Sequence, residues 1–254
     1  MDQLELATRQ FGSTAAKYLT SAVHAAGADL ERLVKMSARL RPAHALDLGS
    51  GAGHVSFALA RGGAQRVVAY DPAAEMLEVV ALEAAARGHR EIHTQLGSAE
   101  RLPFADSTFD LIVSRYSAHH WLDLKGALSE SARVLAPGGS LIVIDVLSPE
   151  APLMDTALQT VEMLRDSSHV RNYRESEWRA MLIGARFASP SVDRWKLPLE
   201  FESWVTRIGT PAARVAALKV VFDALPAEAR EYFAVAPDCS FVIDAGWLET
   251  GKVS

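Results

Sequence analysis

The chain has a single cysteine, Cys239, in 254 residues. It can therefore close no internal disulfide and no cysteine-based metal cluster, which fits a reducing cytoplasm. It has no run of lysine and arginine. With 26 basic against 31 acidic side chains the formal net charge is −5, so the cationic track that a nucleic-acid backbone requires is missing and no nucleic-acid partner is expected. Long hydrophobic runs are also missing. The apolar stretch 141–144 falls far short of the roughly 20 residues that span a bilayer, so no membrane insertion is expected. Met1-Asp2-Gln3-Leu4-Glu5 does not show the basic-then-apolar pattern of a secretory leader. Aromatic content is 7%, and no internal repeat or low-complexity tract interrupts the chain. What is present, 49% hydrophobic and 22% charged residues, is ordinary for a globular protein, and the length suits one doubly wound sheet with appendages.

Strand and helix patterns alternate at 45–48, 53–62, 66–70, 73–88, 92–96, 111–115, 124–136 and 141–146. Alternation of this kind predicts an α/β fold with a mostly parallel sheet covered by helices on both faces. Gly97 and Pro103 predict that the helix between the third and fourth strands is short or irregular, and Pro137-Gly138-Gly139 predicts a turn before the fifth. Before the core, residues 14–40 predict two helices broken near Gly27; after it, 154–164 and 176–183 predict helices, 192–199 a sixth strand and 240–246 a seventh. The chain thus divides into an N-terminal helical cap segment (1–43), a core (44–150) and a C-terminal part (151–254). That last part completes a seven-stranded sheet and carries a helical insertion at about 200–233, in which Pro211 marks a helix start. By position, this insertion and the N-terminal helices form a cap over the site, or else a packing or dimer surface.

Two segments carry the chemistry. Asp47-Leu48-Gly49-Ser50-Gly51-Ala52-Gly53 ends the first strand in an acid and three alternating glycines, and Asp71 ends the second strand 18 residues after Gly53. Glycines allow the tight reversal from strand to helix and let a ligand lie against the backbone. An acid at the end of the second strand is placed to accept hydrogen bonds from a ribose diol. A dinucleotide would share that description, but its G-x-G-x-x-G spacing places the third glycine where His54 stands, and Asp47 would repel a pyrophosphate. A ligand with an ammonium or sulfonium would be attracted instead. S-adenosyl-L-methionine has both, together with a ribose diol and no phosphate.

These segments resemble class I S-adenosylmethionine-dependent methyltransferases, and most closely their small-molecule, ubiquinone/menaquinone-biosynthesis-like branch (methyltransferase domain type 11). The first motif is matched at every glycine. Tyr70-Asp71-Pro72 with Met76-Leu77 resembles the second, and Gly97-Ser98-Ala99-Glu100-Arg101-Leu102-Pro103-Phe104 with Phe109-Asp110 the third. Arg133-Val134-Leu135-Ala136-Pro137-Gly138-Gly139 resembles the segment before the fifth strand. The resemblance spans roughly residues 40–150 and implies a Rossmann-like fold, S-adenosylmethionine as cofactor, S-adenosylhomocysteine as product, and a small-molecule O, N or C acceptor. It implies cofactor contacts from Asp47, Gly49, Ser50, Gly51, Gly53, Asp71, Pro72, Met76, Ser98, Ala99 and Arg115. Ser98 departs from the acid that many relatives carry there. Glu100 reads as a solvated charge at a helix start.

After the fourth strand comes Arg115-Tyr116-Ser117-Ala118-His119-His120-Trp121, a segment that faces the ligand side of an open α/β sheet. His119 or His120 is a candidate general base, and Tyr116 a candidate acceptor contact. Adjacent residues of a helix diverge, so the two imidazoles are not expected to face inward together, and no metal site is expected from them. Ser168-His169-Val170-Arg171-Asn172-Tyr173 is rich in binding groups, and His169, Arg171, Asn172 and Tyr173 are candidate acceptor contacts. Phe11 and Tyr18 are candidates to close over the cofactor. Two other readings stay open: a nicotinamide-dependent oxidoreductase, and a cofactor-binding protein without catalysis. A homodimer is compatible with all three.

Overall fold

The computed structural model describes residues 2–12 and 27–253. Its first helix, α1 (Gln3–Gly12), has no counterpart in the sequence reading. Helix α2 (Ala28–Leu40) follows the expected break at Gly27. The helix expected before that break, with Tyr18, lies outside the described residues, as does the side chain of Phe11. The core then alternates β1 (Ala45–Leu48), α3 (His54–Arg61), β2 (Val67–Asp71), α4 (Ala74–Arg87), β3 (Ile92–Leu96), β4 (Phe109–Arg115), α5 (Leu124–Val134) and β5 (Leu135–Ser148). The short or irregular helix expected between β3 and β4 does not form; turns and bends fill 97–108, where Gly97 and Pro103 interrupt the chain.

Residues of β1 and β2 are buried along their whole length, as strands covered on both faces must be. The side-chain period of two sorts the core into two layers. Leu46, Leu48, Ile112, Leu141 and Val143 pack with Leu124, Leu128 and Trp178 on one face. Ala45, Leu111, Val113, Ile142 and Ile144 pack with Leu33, Met36, Phe57 and Val80 on the other.

The C-terminal part runs α6 (Pro152–Arg165), β6 (Tyr173–Arg174), α7 (Glu175–Gly184), β7 (Ser191–Leu199), α8 (Phe201–Arg207), α9 (Ala212–Ala224), α10 (Ala227–Tyr232) and β8 (Phe241–Gly251). The sheet order is β3-β2-β1-β4-β5-β8-β7, with β8 antiparallel to both neighbours. The sheet has eight strands rather than seven, because the two-residue β6 pairs in parallel with Leu147 and Ser148 of β5. A two-residue strand has no periodicity to read.

Pro137-Gly138-Gly139 lies inside β5 instead of preceding it. Phe109 pairs with Leu135 and Leu111 with Ser140, so two steps along β4 match five along β5. Pro137 cannot donate to the ladder and Gly138 sits at φ 77, so the strand bulges and resumes. Pro211 and Pro226 stand at the N-caps of α9 and α10. Insertion helices α8 and α9 bury Phe201, Trp204, Leu218 and Phe222 against Leu158 and Val161 of α6 and Phe241 and Ile243 of β8.

Candidate active site

The carboxyl ends of β1, β2 and β4 open into a cavity of about 510 Å³, where an open α/β sheet binds its ligands. The loop after β1 is pinned to the neighbouring strand: Gly49 N–H and Ser50 N–H both donate to the Tyr70 carbonyl, at 2.8 and 3.1 Å. Gly49, at φ 74, brings its Cα against Ser117, and a Cβ there would lie 1.9 Å from Ser117 Oγ. Gly51, at φ 48, faces open space, with nothing within 4 Å of where its Cβ would be. Gly53 stands at the N-cap of α3, packed on Val80 and Phe57, and supports the loop from behind without lining the cavity.

Asp71 joins the two motifs. Its Oδ2 accepts from Gly51 N–H at 2.8 Å and its Oδ1 from Ala73 N–H, just ahead of α4, at 2.9 Å. It therefore serves the start of α4 and lines the cavity as well. Burial pushes its pKa up to about 6, while the Ala73 and Gly51 N–H groups pull the other way. Asp47 lies beneath the loop, its Oδ2 accepting from Ser56 N–H at 2.9 Å and Ser56 Oγ–H at 2.7 Å. Burial raises it to about 7, opposed by the Ser56 bonds.

Ser50, Pro72, Met76, Ser98, Ala99 and Arg115 all line the same cavity. Met76 is 2% exposed and packs with Ala52 and Ala73. Arg115 Nε donates to Asp29 Oδ2 at 2.5 Å. The acids lining the cavity are Asp2, Asp47, Asp71, Glu100 and Asp123, and its one arginine is this Arg115. Glu100 does not start a helix; its Oε1 accepts from Leu122 N–H at 3.1 Å and ties the two cavity loops together. Helix α1 supplies one wall through Gln3, Leu4 and Thr8, and Gln3 Nε2 donates to the Ser168 carbonyl at 2.6 Å.

After β4 the chain turns at Tyr116, a non-glycine residue at φ 50. Such a conformation costs of order 1 kcal/mol or more and is held by its surroundings, here by Tyr116 N–H on the Ile144 carbonyl at 2.8 Å. A single 3₁₀ turn, Ala118–His120, follows. His120 lines the main cavity, and both His119 and His120 line a second, smaller cavity of about 80 Å³ beside it. Both imidazoles thus reach one space, because the turn is too short to send them to opposite sides and their ring centroids stay 4.2 Å apart.

His119 Nδ1 lies 2.6 Å from Asp145 Oδ1. Burial disfavours the charged ring, but the charge and hydrogen bond of Asp145, helped by Glu162 and Asp166, outweigh it and raise the His119 pKa. His120 is driven the other way, to about 4, by burial and by the neighbouring His119. Its Nδ1 lies 3.0 Å from the Ser168 carbonyl.

The polar segment after α6 is only partly brought to these spaces. Asn172 lines the second cavity. His169 Nε2 is 3.0 Å from Gln159 Oε1, and Arg171 bonds Asp155 and Glu177. Tyr173 stacks edge-on against Trp178. These three line neither cavity. Trp204 and Arg207 of α8 line the second cavity, and no residue of 201–233 lines the main one. Asp145 and Ser56 were missed by the sequence reading. Asp145 had a signal: an acid inside the apolar run Leu-Ile-Val-Ile-Asp-Val is buried and needs a partner. No group of His, Cys, Asp and Glu among the described residues could hold a metal ion, and no helix among them is long and apolar enough to cross a membrane.

S-adenosylmethionine fits the residues present. Ser50 Oγ is buried and has no partner among the described residues, Gly51 leaves open space, and carboxylates face a site that would hold a sulfonium and an ammonium. The domain model named "Methyltransferase domain" matches residues 46–143. The uncharacterised protein YafE of Escherichia coli is 50% identical over 188 residues, 74% of this chain and 91% of that one. YcgJ of Bacillus subtilis, an uncharacterised methyltransferase, is 38% identical over 89% of this chain and 88% of its own length. Its crystal structure superposes with a TM-score of 0.82 over 88% of this chain and 99% of that one, at 33% identity. The ubiquinone/menaquinone biosynthesis C-methyltransferase of Rubrivivax gelatinosus is 37% identical over 46% of this chain and 45% of that one. With motif, topology and near full-length likeness in agreement, the chain belongs to the methyltransferase family, as a class I S-adenosylmethionine-dependent enzyme.

Proposed function

We propose that the protein methylates a small-molecule acceptor held between the main cavity and the histidine turn. The observation that carries this reading is the charge of the main cavity: it is lined by carboxylates, and the one arginine that lines it among the described residues is bonded to Asp29 rather than offered to a phosphate. When bound, the cofactor supplies an electrophilic methyl group that passes to the acceptor by SN2 displacement. Asp71 receives the ribose diol on the lone pairs left by Gly51 and Ala73. Ser50, Gly51 and Asp47 would hold the methionine end, and Met76, Ser98 and Ala99 the adenine. Arg115 positions the loop through Asp29.

The acceptor's proton goes to His119. Asp145 holds Nδ1–H, leaving Nε2 as the base, and the charge of Asp145 raises the proton affinity of the ring. Neutral His120 and Tyr116 form the wall shared by the two cavities. Helix α1 is the cap over the cofactor, whereas α8 of the insertion closes the second cavity. The single cysteine, buried Cys239, is in keeping with a cytoplasmic setting.

Titration calorimetry with S-adenosylmethionine, S-adenosylhomocysteine and NAD tests the reading. Micromolar binding of the first two and none of the third is expected; binding of NAD alone would overturn it.

A further inference from the structure

The second cavity is too small for a whole acceptor. About 80 Å³ corresponds to roughly three waters at ~30 Å³ each, and an apolar cavity that admits benzene has about 150 Å³. It can take the edge of a molecule whose body lies elsewhere. The main cavity is next to it, since Tyr116 and His120 line both.

Asn172 lines this space and is 1% exposed. Its main chain is held on both sides by one side chain: Asn172 N–H donates to Gln159 Oε1 at 3.1 Å, and the Asn172 carbonyl accepts from Gln159 Nε2 at 2.7 Å. Its own side-chain amide has no partner among the described residues at either nitrogen or oxygen. Buried amides are almost always bonded, and one left bare at both ends asks for a ligand that pairs with both. Such a ligand presents a donor and an acceptor side by side.

Charge narrows the choice. Glu162 and Asp166 face the space from α6 and the residue after it, so an anionic group is disfavoured. Arg165, Arg207 and His119 also line it, so a cationic group is disfavoured too. Glu162 is 3.7 Å from Arg165, and Asp166 accepts from Ser168 N–H and Oγ–H, so neither acid is left to attract a counter-charge. Trp204, Leu197, Leu199, Val146 and Ile243 complete the walls.

We propose that the second cavity is an acceptor subsite for a neutral polar edge, a hydroxyl beside a carbonyl or carboxamide, bound through the amide of Asn172. The body of the acceptor then lies in the main cavity against Trp121 and Leu122, and the edge passes between Tyr116 and His120 to reach His119. This rests on the methyl-transfer reading above and adds the chemical class of the acceptor.

Ligand-observed NMR titration of the protein saturated with S-adenosylhomocysteine tests it, with salicylamide as the neutral hydroxy-carboxamide, benzoate as the anion and benzylamine as the cation. Salicylamide is expected to bind at least tenfold more tightly than the other two. Asn172→Leu, of similar size but unable to pair, is expected to weaken salicylamide at least tenfold and to leave S-adenosylhomocysteine within twofold. Should Asn172→Leu fail to fold, Leu197→Trp, which fills the cavity from β7, is expected to abolish salicylamide binding with the same retention of S-adenosylhomocysteine. No salicylamide binding to the loaded wild type, preference for benzoate or benzylamine, or salicylamide affinity unmoved in a folded variant overturns the subsite. Failure of the wild type to bind S-adenosylhomocysteine overturns the cofactor reading itself, and calorimetry without any acceptor distinguishes that failure.

Discussion

Asp71→Asn should weaken S-adenosylmethionine binding by roughly 2–4 kcal/mol, about 30- to 1000-fold, through loss of two charge-assisted hydrogen bonds to the ribose diol. The substitution keeps the shape of the side chain. It also sets an amide NH₂ against Gly51 N–H or Ala73 N–H, each now bonded to the carboxylate at 2.8–2.9 Å. One buried donor is left unpaired, so stability should fall by about 1–3 kcal/mol as well. A thermal melt must therefore show the variant folded at the temperature of the titration.

The wild type carries its own control in pH. Burial raises the Asp71 carboxyl from 3.8 to about 6, only partly offset by its two N–H partners. For the fold, a carboxyl raised in this way contributes stability that is fully present below its unfolded pKa and is lost as pH rises through about 6. For the ligand the sign is opposite, because diol donors prefer the ionised form. Affinity should hold above pH 6 and fall about tenfold by pH 5, where roughly one carboxyl in ten is charged. Asp47, raised to about 7 by the same burial, titrates nearby. The part due to Asp71 is the part that Asp71→Asn abolishes. Unchanged affinity in a folded variant, or identical pH profiles in both proteins, would refute the ribose assignment.

Asp145→Asn should move the acidic limb of the rate profile to lower pH, because it removes the charge that raises His119, and should lower the maximal rate by about a hundredfold, the lower end of general-base contributions. A limb that stays in place would show that His119 is not the base. Gly49→Ala should cost about 1–2 kcal/mol from its left-handed backbone alone, and more from a Cβ placed 1.9 Å from Ser117 Oγ and 2.6 Å from its Cβ. In denaturant melts Ser117→Gly should recover the steric part and leave the backbone part; no recovery would mean that the close approach of the two loops is not what requires the glycine.

The mostly parallel sheet and the cofactor cavity were legible in the sequence because both rest on local, periodic signals. The apolar runs of β1, β2, β4 and β5 appear where expected, and the glycine loop and Asp71 meet because a parallel β1–β2 pair brings Leu48 opposite Tyr70. What was not legible depends on tertiary placement. Glu100 looked like a solvated helix start and instead accepts from Leu122, 22 residues on, because its loop never becomes a helix. His169, Arg171 and Tyr173 looked like one binding segment with Asn172. However, the turn after α6 gives Arg171 to Asp155 and Glu177 and leaves only Asn172 on a cavity. The adjacent histidines could not be assigned from a helical wheel, since a single 3₁₀ turn places both on the second cavity and one on the first. Asp145 distinguishes them chemically: it lies 2.6 Å from His119, whereas His120 Nδ1 lies beside the Ser168 carbonyl and hydroxyl. Burial disfavours charge on both rings; at His119 the charge and hydrogen bond of Asp145 outweigh it, whereas His120 is left lowered by burial and by His119 itself, and that division supports the proposed roles of His119 in proton transfer and His120 in the wall.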